Sequence, residues 1–197
     1  MRITADAKLV TRKRILDAAR ELFDKGGFVA ATTRDIAQAA TIATGTLFNY
    51  FPTKEAIAVA LVAEAIESAH QEVGERSRRE SLAEDLFALI ALELRRIKPF
   101  RALLRPVLES ALSPMVQSTA SPEGESIRLG HLSLAERMIA ERFPAALSTP
   151  VVMNLYWTLY TGILAFWSGD TSPNQEDTLA VIDHYLKAFT GSLVSHE

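Results

Sequence analysis

The chain of 197 residues contains no cysteine, which excludes disulfide bonds, thiolate metal ligands and cysteine nucleophiles. Long apolar runs are also missing, because the longest, residues 151–167, is interrupted by Asn154, Thr158, Thr161 and Gly162. A basic start followed by an apolar run, as in a secretory leader, is absent as well. These absences predict a cytoplasmic protein with no membrane segment.

Sequence signatures of enzymes are equally scarce. The chain has four histidines, at positions 70, 131, 184 and 196, and they are scattered rather than spaced as metal ligands. No glycine-rich phosphate loop and no histidine-glutamate zinc motif is present. We therefore expect no enzymatic activity, no catalytic residues, no metal site and no cofactor. The hydrophobic content of 48% is sufficient for a core in one or two domains.

Apolar residues recur at helical spacing along almost the whole chain. Residues 10–25 predict one amphipathic helix, ended by the pair Gly26-Gly27, of which the first takes the left-handed conformation. Beyond Pro52 the pattern remains helical, without alternating strands or hairpin signals. The sequence thus predicts an all-α fold, with a domain at 1–52 and a second at 53–197.

Residues 32–55 predict two short helices, a tight turn and the start of a third helix. Thr32 can cap the first helix while Asp35 returns a hydrogen bond to the cap, as in a capping box. The second helix has apolar anchors on one side, and small or polar residues on the other. Pro52 ends it, and Thr53 caps the next helix. This is the layout of a DNA-reading helix-turn-helix.

The net charge of −3 is unevenly distributed. Residues 1–54 contain nine basic and five acidic side chains, a surplus of four positive charges, so the remainder carries −7. A positive head on a negative body favours contact with phosphates at one end only.

Several signals mark element boundaries in the second domain. Ser81 with Glu84 predicts a capping box, and Pro106 predicts a kink. Residues 113–125 contain two prolines and a glycine and predict a loop. The last two helices are predicted to start at Thr149-Pro150 and at Ser172-Pro173, the latter with Gln175 completing a capping box.

The run from Gly45 to Ala56, combined with the upstream Arg34-Asp35-Ile36-Ala37 and with Gly27-Phe28, resembles the N-terminal domain of the tetracycline-repressor (TetR) family. The resemblance implies a three-helix helix-turn-helix domain followed by a helical ligand-binding and dimerisation domain. It also implies a homodimer that binds a near-palindromic double-stranded DNA operator, with affinity depending in part on the basic run 12–14. The DNA contacts implied are Thr33, Arg34, Thr44, Gly45, Thr46, Asn49, Tyr50 and Lys54.

Four residues differ from what is usual in that family. Thr41 stands where a turn glycine is usual, and Ala43 where a capping serine is usual. If position 41 needs a positive φ, a threonine there is strained. Phe48 replaces a tyrosine that often touches a phosphate, and Thr44 replaces longer polar or basic residues. We therefore expect base readout to rely on short side chains and water.

The second domain offers candidates for an effector pocket and a dimer interface. An apolar cavity with a few polar tips is predicted to be lined by Phe87, Phe100, Leu104, His131, Met138, Tyr156 and Tyr160. In the TetR family the last two helices pair across a two-fold axis, and the corresponding residues here are Leu164, Trp167, Ile182, Leu186 and Phe189. The alternative is that these five residues belong to the core of a single subunit.

The leading hypothesis is a ligand-responsive, DNA-binding transcriptional regulator, a repressor released from its operator by a small, largely apolar effector. One alternative is a DNA-binding architectural or cell-division factor of the same fold without an effector. Another is a small-molecule carrier or enzyme, which would not retain DNA in a sequence-specific way. The sequence does not specify the operator, the effector, the regulated genes or the sign of regulation.

Overall fold

The computed structural model describes residues 5–73, 79–113, 121–143 and 149–194, and the regular structure in these ranges is entirely helical. The all-α prediction is therefore confirmed. The helices are α1 (Ala5–Ala30), α2 (Thr33–Ala39), α3 (Thr44–Phe48), α4 (Lys54–Val73), α5 (Leu82–Ile97), α6 (Leu104–Val107), α7 (Pro122–Ala140), α8 (Pro150–Gly169) and α9 (Glu176–Val194).

Helix α1 is broken near its end by the second glycine of the pair, not by the first as predicted. Gly27 has φ 78°, ψ 164°, a conformation that glycine adopts without steric cost. The change of direction returns Phe28 to the helix, where its ring lies 5.3 Å from that of Phe23. The chain then enters the short α2.

Helix α4 connects the two predicted domains. Thr53 caps its start, since its Oγ1 accepts a hydrogen bond from the Ala56 amide at 3.1 Å, as predicted. It packs on α1 in the head and on α5 and α7 in the body. Buried side chains of the head and the body form one contiguous apolar cluster around it. The boundary at residues 52 and 53 falls just before this helix and stays a prediction.

The structure confirms the predicted start of α5, and near Pro106, where the sequence predicts a kink or a split, the helix type changes. Ser81 and Glu84 form both hydrogen bonds of a capping box. After α5 the chain continues as a 3-10 segment (Lys98–Leu103), the single turn α6 and a π-helical turn (Leu108–Leu112). This irregular stretch follows from a proline in a helical environment, because its nitrogen cannot donate to the helix.

Two predicted boundaries are corrected. Helix α7 begins at Pro122 with Ser121 as its cap, so the predicted loop 113–125 extends too far; residues 114–120 lie outside the described ranges. Thr149 caps α8 as predicted. The capping box at Ser172 is wrong, because Gln175 has φ 60° and α9 starts one residue later. Its Thr178 amide donates instead to Asp170 at 3.0 Å.

Over the described ranges, no helix combines the length and the apolar character needed to cross a bilayer.

Candidate nucleic-acid interface and buried polar centre

Helix α2 is fixed by a reciprocal pair of hydrogen bonds at its start. The Asp35 amide donates to Thr32 Oγ1, and the Thr32 amide donates to Asp35 Oδ2, both at 3.1 Å. The hydrogen bonds from Thr32 also lower the pKa of the Asp35 carboxyl. Ile36 and Ala37 are buried against the rest of the head. The predicted capping box is confirmed and orients the first helix of the motif.

The turn between α2 and α3 has the two weaknesses expected from the sequence. Thr41 adopts φ 55°, the left-handed conformation that a β-branched residue rarely takes. Ala43 stands at the N-cap of α3 and makes no side-chain capping bond. The Ile42 amide still donates to the Ala37 carbonyl at 3.0 Å, so the turn is closed by the backbone.

Helix α3 presents small and polar residues to the outside, together with Phe48, which is 46% exposed. Leu47 and Phe51 are buried and anchor it to the head. Gly45 and Asn49 are exposed on the other side, and a Cβ added at Gly45 would meet no described atom within 4 Å. Of the other predicted contacts, Arg34 is exposed, and the following are half-buried: Thr33, Thr44, Thr46 and Tyr50. The face has the size and chemistry that a DNA major groove accepts.

Lys54 makes hydrogen bonds within the head that the sequence analysis did not predict. Its ammonium group donates to the carbonyl oxygens of Phe28 at 2.7 Å and of Ala31 at 2.9 Å. It also lies 4.3 Å from the centre of the Phe28 ring. Since an ammonium group has three protons, most of its hydrogen-bonding capacity serves the corner between α1 and α2. Lys54 therefore clamps the head, and its assignment as a phosphate contact stays a prediction.

The basic run 12–14 is likewise only partly available to DNA. Arg12 pairs with Glu64 of α4 at 2.9 Å and with Glu123 of α7 at 3.5 Å. Lys13 pairs with Asp17 on its own helix. The expectation that the whole run supports DNA affinity is corrected, because Arg12 connects the head to the body.

The body contains a buried polar centre, of which the sequence analysis named His131 and Tyr156 but missed Glu93 and His70. Glu93 of α5 is fully buried, and its Oε1 lies 2.5 Å from His70 Nε2 and 2.8 Å from His131 Nδ1. The other ring nitrogen of His131 lies 3.1 Å from the Tyr156 hydroxyl. Four helices thus converge on one carboxylate. A signal was present in the sequence, since Glu93 interrupts the apolar run of α5 between Leu92 and Leu94.

Electrostatics fix the charge states in this centre. Burial raises the pKa of Glu93, but the charge and hydrogen bonds of His131 and of His70 outweigh it and lower the pKa to about 2. Burial, followed by the charge of Glu93, raises the pKa of Tyr156 and Tyr160. Glu93 is therefore an anion at neutral pH and the tyrosines are neutral. Among the described residues, Glu93 Oε2 and the Tyr160 hydroxyl have no hydrogen-bond partner.

Of the predicted pocket residues, three are brought together. The His131 ring stacks on Tyr160 with a centroid distance of 3.7 Å, and lies 5.5 Å from Tyr156. Phe87 instead lines a separate groove of about 410 Å³ on the outer side of α5, whose walls include none of the other six. Phe100, which faces Arg20, and the buried Leu104 belong to the same apolar cluster as the two tyrosines, and the half-buried Met138 packs against it. The prediction of one cavity lined by all seven is corrected for Phe87 and stays a prediction for the other six.

The five predicted interface residues are core residues of the subunit. Their exposed fractions are 0–2%, so a partner could not bury them further; they are Leu164, Trp167, Ile182, Leu186 and Phe189. The alternative given by the sequence analysis is the correct one for these side chains. The outer side of α8 carries a different stripe of exposed residues: Val151, Asn154, Leu155, Thr158, Gly162, Ala165, Phe166 and Gly169.

Sequence comparisons agree on the N-terminal part. The family model described as bacterial regulatory proteins, tetR family, matches residues 15–61. The transcriptional repressor KstR of Rhodococcus jostii RHA1 is 42% identical over 65 residues, which are 33% of this chain and 31% of KstR. The regulator UidR of Escherichia coli K12 is 44% identical over 52 residues, 26% of each chain. The match thus spans less than a third of the length of these curated relatives.

Structural similarity extends over nearly the whole chain. Thermus thermophilus FadR, a TetR-family repressor solved with lauroyl-CoA, superposes with a TM-score of 0.71 at 23% identity, covering 91% of this chain and 93% of FadR. A TetR regulator from Rhodococcus sp. RHA1 gives 0.70 at 18% identity, covering 92% and 97%. At these identities the superpositions show the fold alone.

The helix-turn-helix head joined by α4 to a helical body is the fold that the chain shares with these solved TetR-family structures. Residues 15–61 are similar to the tetR family of bacterial regulatory proteins, and the curated relatives matched over the N-terminal part are transcriptional regulators.

Proposed function

We propose that the chain is a transcriptional regulator that binds a near-palindromic DNA operator as a homodimer. The observation that carries the proposal is the polar outer face of α3, anchored by Leu47 and Phe51 on a head with a surplus of four positive charges. The KstR, UidR and FadR comparisons support a regulatory role.

In this proposal α3 enters the major groove. Asn49 can make paired hydrogen bonds to adenine, and Thr44 and Thr46 reach base edges directly or through water. Arg34, exposed at the start of α2, contacts phosphates and fixes the position of the head.

Selection of bound sequences from a random DNA pool tests this function. We expect enrichment of a two-part site with half-sites about one helical turn apart. Asn49→Ala should lower affinity for that site by roughly 5- to 150-fold, the equivalent of one base-specific pair. The exposed Gln71→Ala on α4 is the matched control. A pool without enrichment, or equal affinity of both variants, would contradict the proposal.

The dimer is proposed to form through the outer side of α8 and α9. Leu155 and Phe166 are 43% and 44% exposed, and Gly162 and Ala165 between them permit close helix approach. Leu155→Glu should therefore yield monomers in sedimentation. Leu129→Glu, at a position on α7 that is 58% exposed, should not. A Leu155→Glu variant that sediments as a dimer would move the interface elsewhere.

Response to an effector completes the proposal. A repressor is released when a small, largely apolar effector favours a body conformation in which the two heads no longer match the groove spacing. FadR, solved with lauroyl-CoA, supports an apolar effector. Operator binding measured against a panel of acyl-CoA esters and free fatty acids tests the idea. A regulator insensitive to the panel, with many dispersed sites on genomic DNA, would instead be an architectural factor.

A further inference from the structure

Two histidines and a glutamate from three different helices meet in the body. His70 comes from α4, Glu93 from α5 and His131 from α7, and one potential ligand atom from each lies within 4.8 Å of the others. Two imidazoles and one carboxylate are a donor set of zinc sites that keep a further position open. Nothing in the proposed regulatory function requires this combination.

The charge balance of the centre favours a cation. Glu93 is 0% exposed, and a buried carboxylate is costly unless a positive charge compensates it. A histidine supplies such a charge only when it is protonated, and a neutral one offers a hydrogen bond or a metal-ligand nitrogen but no charge. The Glu93 Oε2 has no partner within hydrogen-bonding geometry among the described residues; the group nearest to pairing with the carboxylate is the Tyr160 hydroxyl, whose pKa a hydrogen bond to Glu93 helps to raise. A divalent ion would satisfy both requirements.

The geometry needs only small adjustments. Tetrahedral zinc with bonds of about 2.0–2.1 Å places its ligand atoms roughly 3.3 Å apart. The distances from Glu93 Oε1 to His70 Nε2 and His131 Nδ1 are 2.5 and 2.8 Å, so they would lengthen by about 0.5–0.8 Å. Rotation of the His70 side chain, 15% exposed, can supply this change and a path for the ion.

Neighbouring groups support the ligands. The Tyr156 hydroxyl bonds the far nitrogen of His131, which orients the ring as a partner behind a metal ligand does. Gly130 leaves room for the His70 ring. A side chain at position 130 would place its Cβ only 3.1 Å from His70 Nδ1. The unpartnered hydroxyl of Tyr160 belongs to a ring stacked on His131.

We propose that His70, Glu93 and His131 bind one divalent transition-metal ion of the zinc class. The fourth coordination position remains for water or for an oxygen atom of a small ligand. This site goes beyond the proposed regulatory function and does not depend on DNA binding.

The experiment is calorimetric titration of the chelator-stripped, full-length protein with zinc chloride at neutral pH. We expect one ion per chain and a rise in melting temperature that depends on zinc concentration. His70→Gln should weaken binding at least tenfold and abolish the thermal shift. His184→Gln, an exposed histidine on α9, is the matched control and should bind as the wild type.

Glu93→Gln removes the charge while retaining the side-chain size, and should also lose the tight site. Because Glu93 is buried, its variant could fail to fold; in that case the zinc affinity of the His70 variant decides the test. Affinity should fall as the pH is lowered, since the ligands must be deprotonated. Absence of saturable binding with one ion per chain, or unchanged binding by His70→Gln, would overturn the proposal.

Discussion

Replacement of Lys54 by methionine distinguishes a clamp inside the head from a contact with DNA. Methionine retains an apolar side chain of similar length but removes the ammonium group. In the structure that group serves the carbonyls of Phe28 and Ala31 and lies over the Phe28 ring. A contact with phosphate alone would leave the free protein unaffected.

The expected loss of stability follows from these contacts. Hydrogen bonds to a charged group contribute about 1.5–3 kcal/mol each when buried, and a value below this range applies here because Lys54 is half-buried and its acceptors can regain water. We assign about 1 kcal/mol to each short bond and about 0.5–1 kcal/mol to the cation over the ring. The Val29 carbonyl oxygen lies 3.5 Å from the ammonium group, and we assign no stabilisation to this long contact. The free energy of unfolding should thus fall by about 2.5–3 kcal/mol.

Urea denaturation at a fixed protein concentration measures this change, and the salt dependence of operator binding measures the alternative role. Lys25→Met is the control, because that side chain is 76% exposed and its ion pair with Glu21 is at 3.6 Å. We expect the control to lie within about 0.5 kcal/mol of the wild type. The salt slope of Lys54→Met should remain that of the wild type.

The opposite pattern would refute the reasoning. If Lys54→Met unfolds within about 0.5 kcal/mol of the wild type while its salt slope decreases by about 0.9 per head, the ammonium group contacts a phosphate and does not clamp the corner.

Three further predictions concern the turn and the buried centre. Ala43→Ser should raise the free energy of unfolding by about 1 kcal/mol in urea denaturation, because serine supplies the missing cap of α3; no gain would mean that its hydroxyl does not reach the free amides. Thr41→Gly should add about 0.5–1 kcal/mol, since removing left-handed strain outweighs the flexibility of glycine, and a loss would show that Thr41 is unstrained. The pKa of Glu93 is lowered from 4.5 to about 2 in the folded protein, so its contribution is present above pH 4.5 and is lost as the pH falls towards 2. Urea midpoints of wild type and Glu93→Gln should therefore converge in acid, and a constant difference would contradict this.

The features predicted correctly from the sequence depend on residues close together in the chain. Thr32 and Asp35 are three positions apart, as are Ser81 and Glu84, so backbone geometry alone brings each pair into contact. The strain at Thr41 is also local, because the turn itself sets the sign of φ. These elements fix the helix-turn-helix and with it the candidate DNA surface.

The features that were missed depend on packing between distant segments. Glu93 is 23 residues from His70 and 38 from His131, and no periodicity within one helix relates them. The start of α9 was misplaced because Asp170, eight residues before Thr178, displaces the local box predicted at Ser172.

The interface prediction failed for a related reason. Helix α8 is apolar on more than one side, and its composition does not show which side faces inward. Buried Leu164 and exposed Phe166 are equally apolar, and only the position of the neighbouring helices separates them.

Because α4 is one continuous helix, a small rotation at its body end produces a larger displacement at its head end. Lys54 at its first residue and His70 near its last turn are separated by about 24 Å along the axis, at 1.5 Å per residue. A rigid tilt of about 5° at the His70 end therefore displaces the Lys54 end by about 2 Å. In the proposed dimer two such displacements in opposite directions change the separation of the heads by about 4 Å, more than a tenth of the helical repeat of about 34 Å that they must match. A change in the packing around Glu93 too small to alter the fold is thus large enough to matter at the DNA.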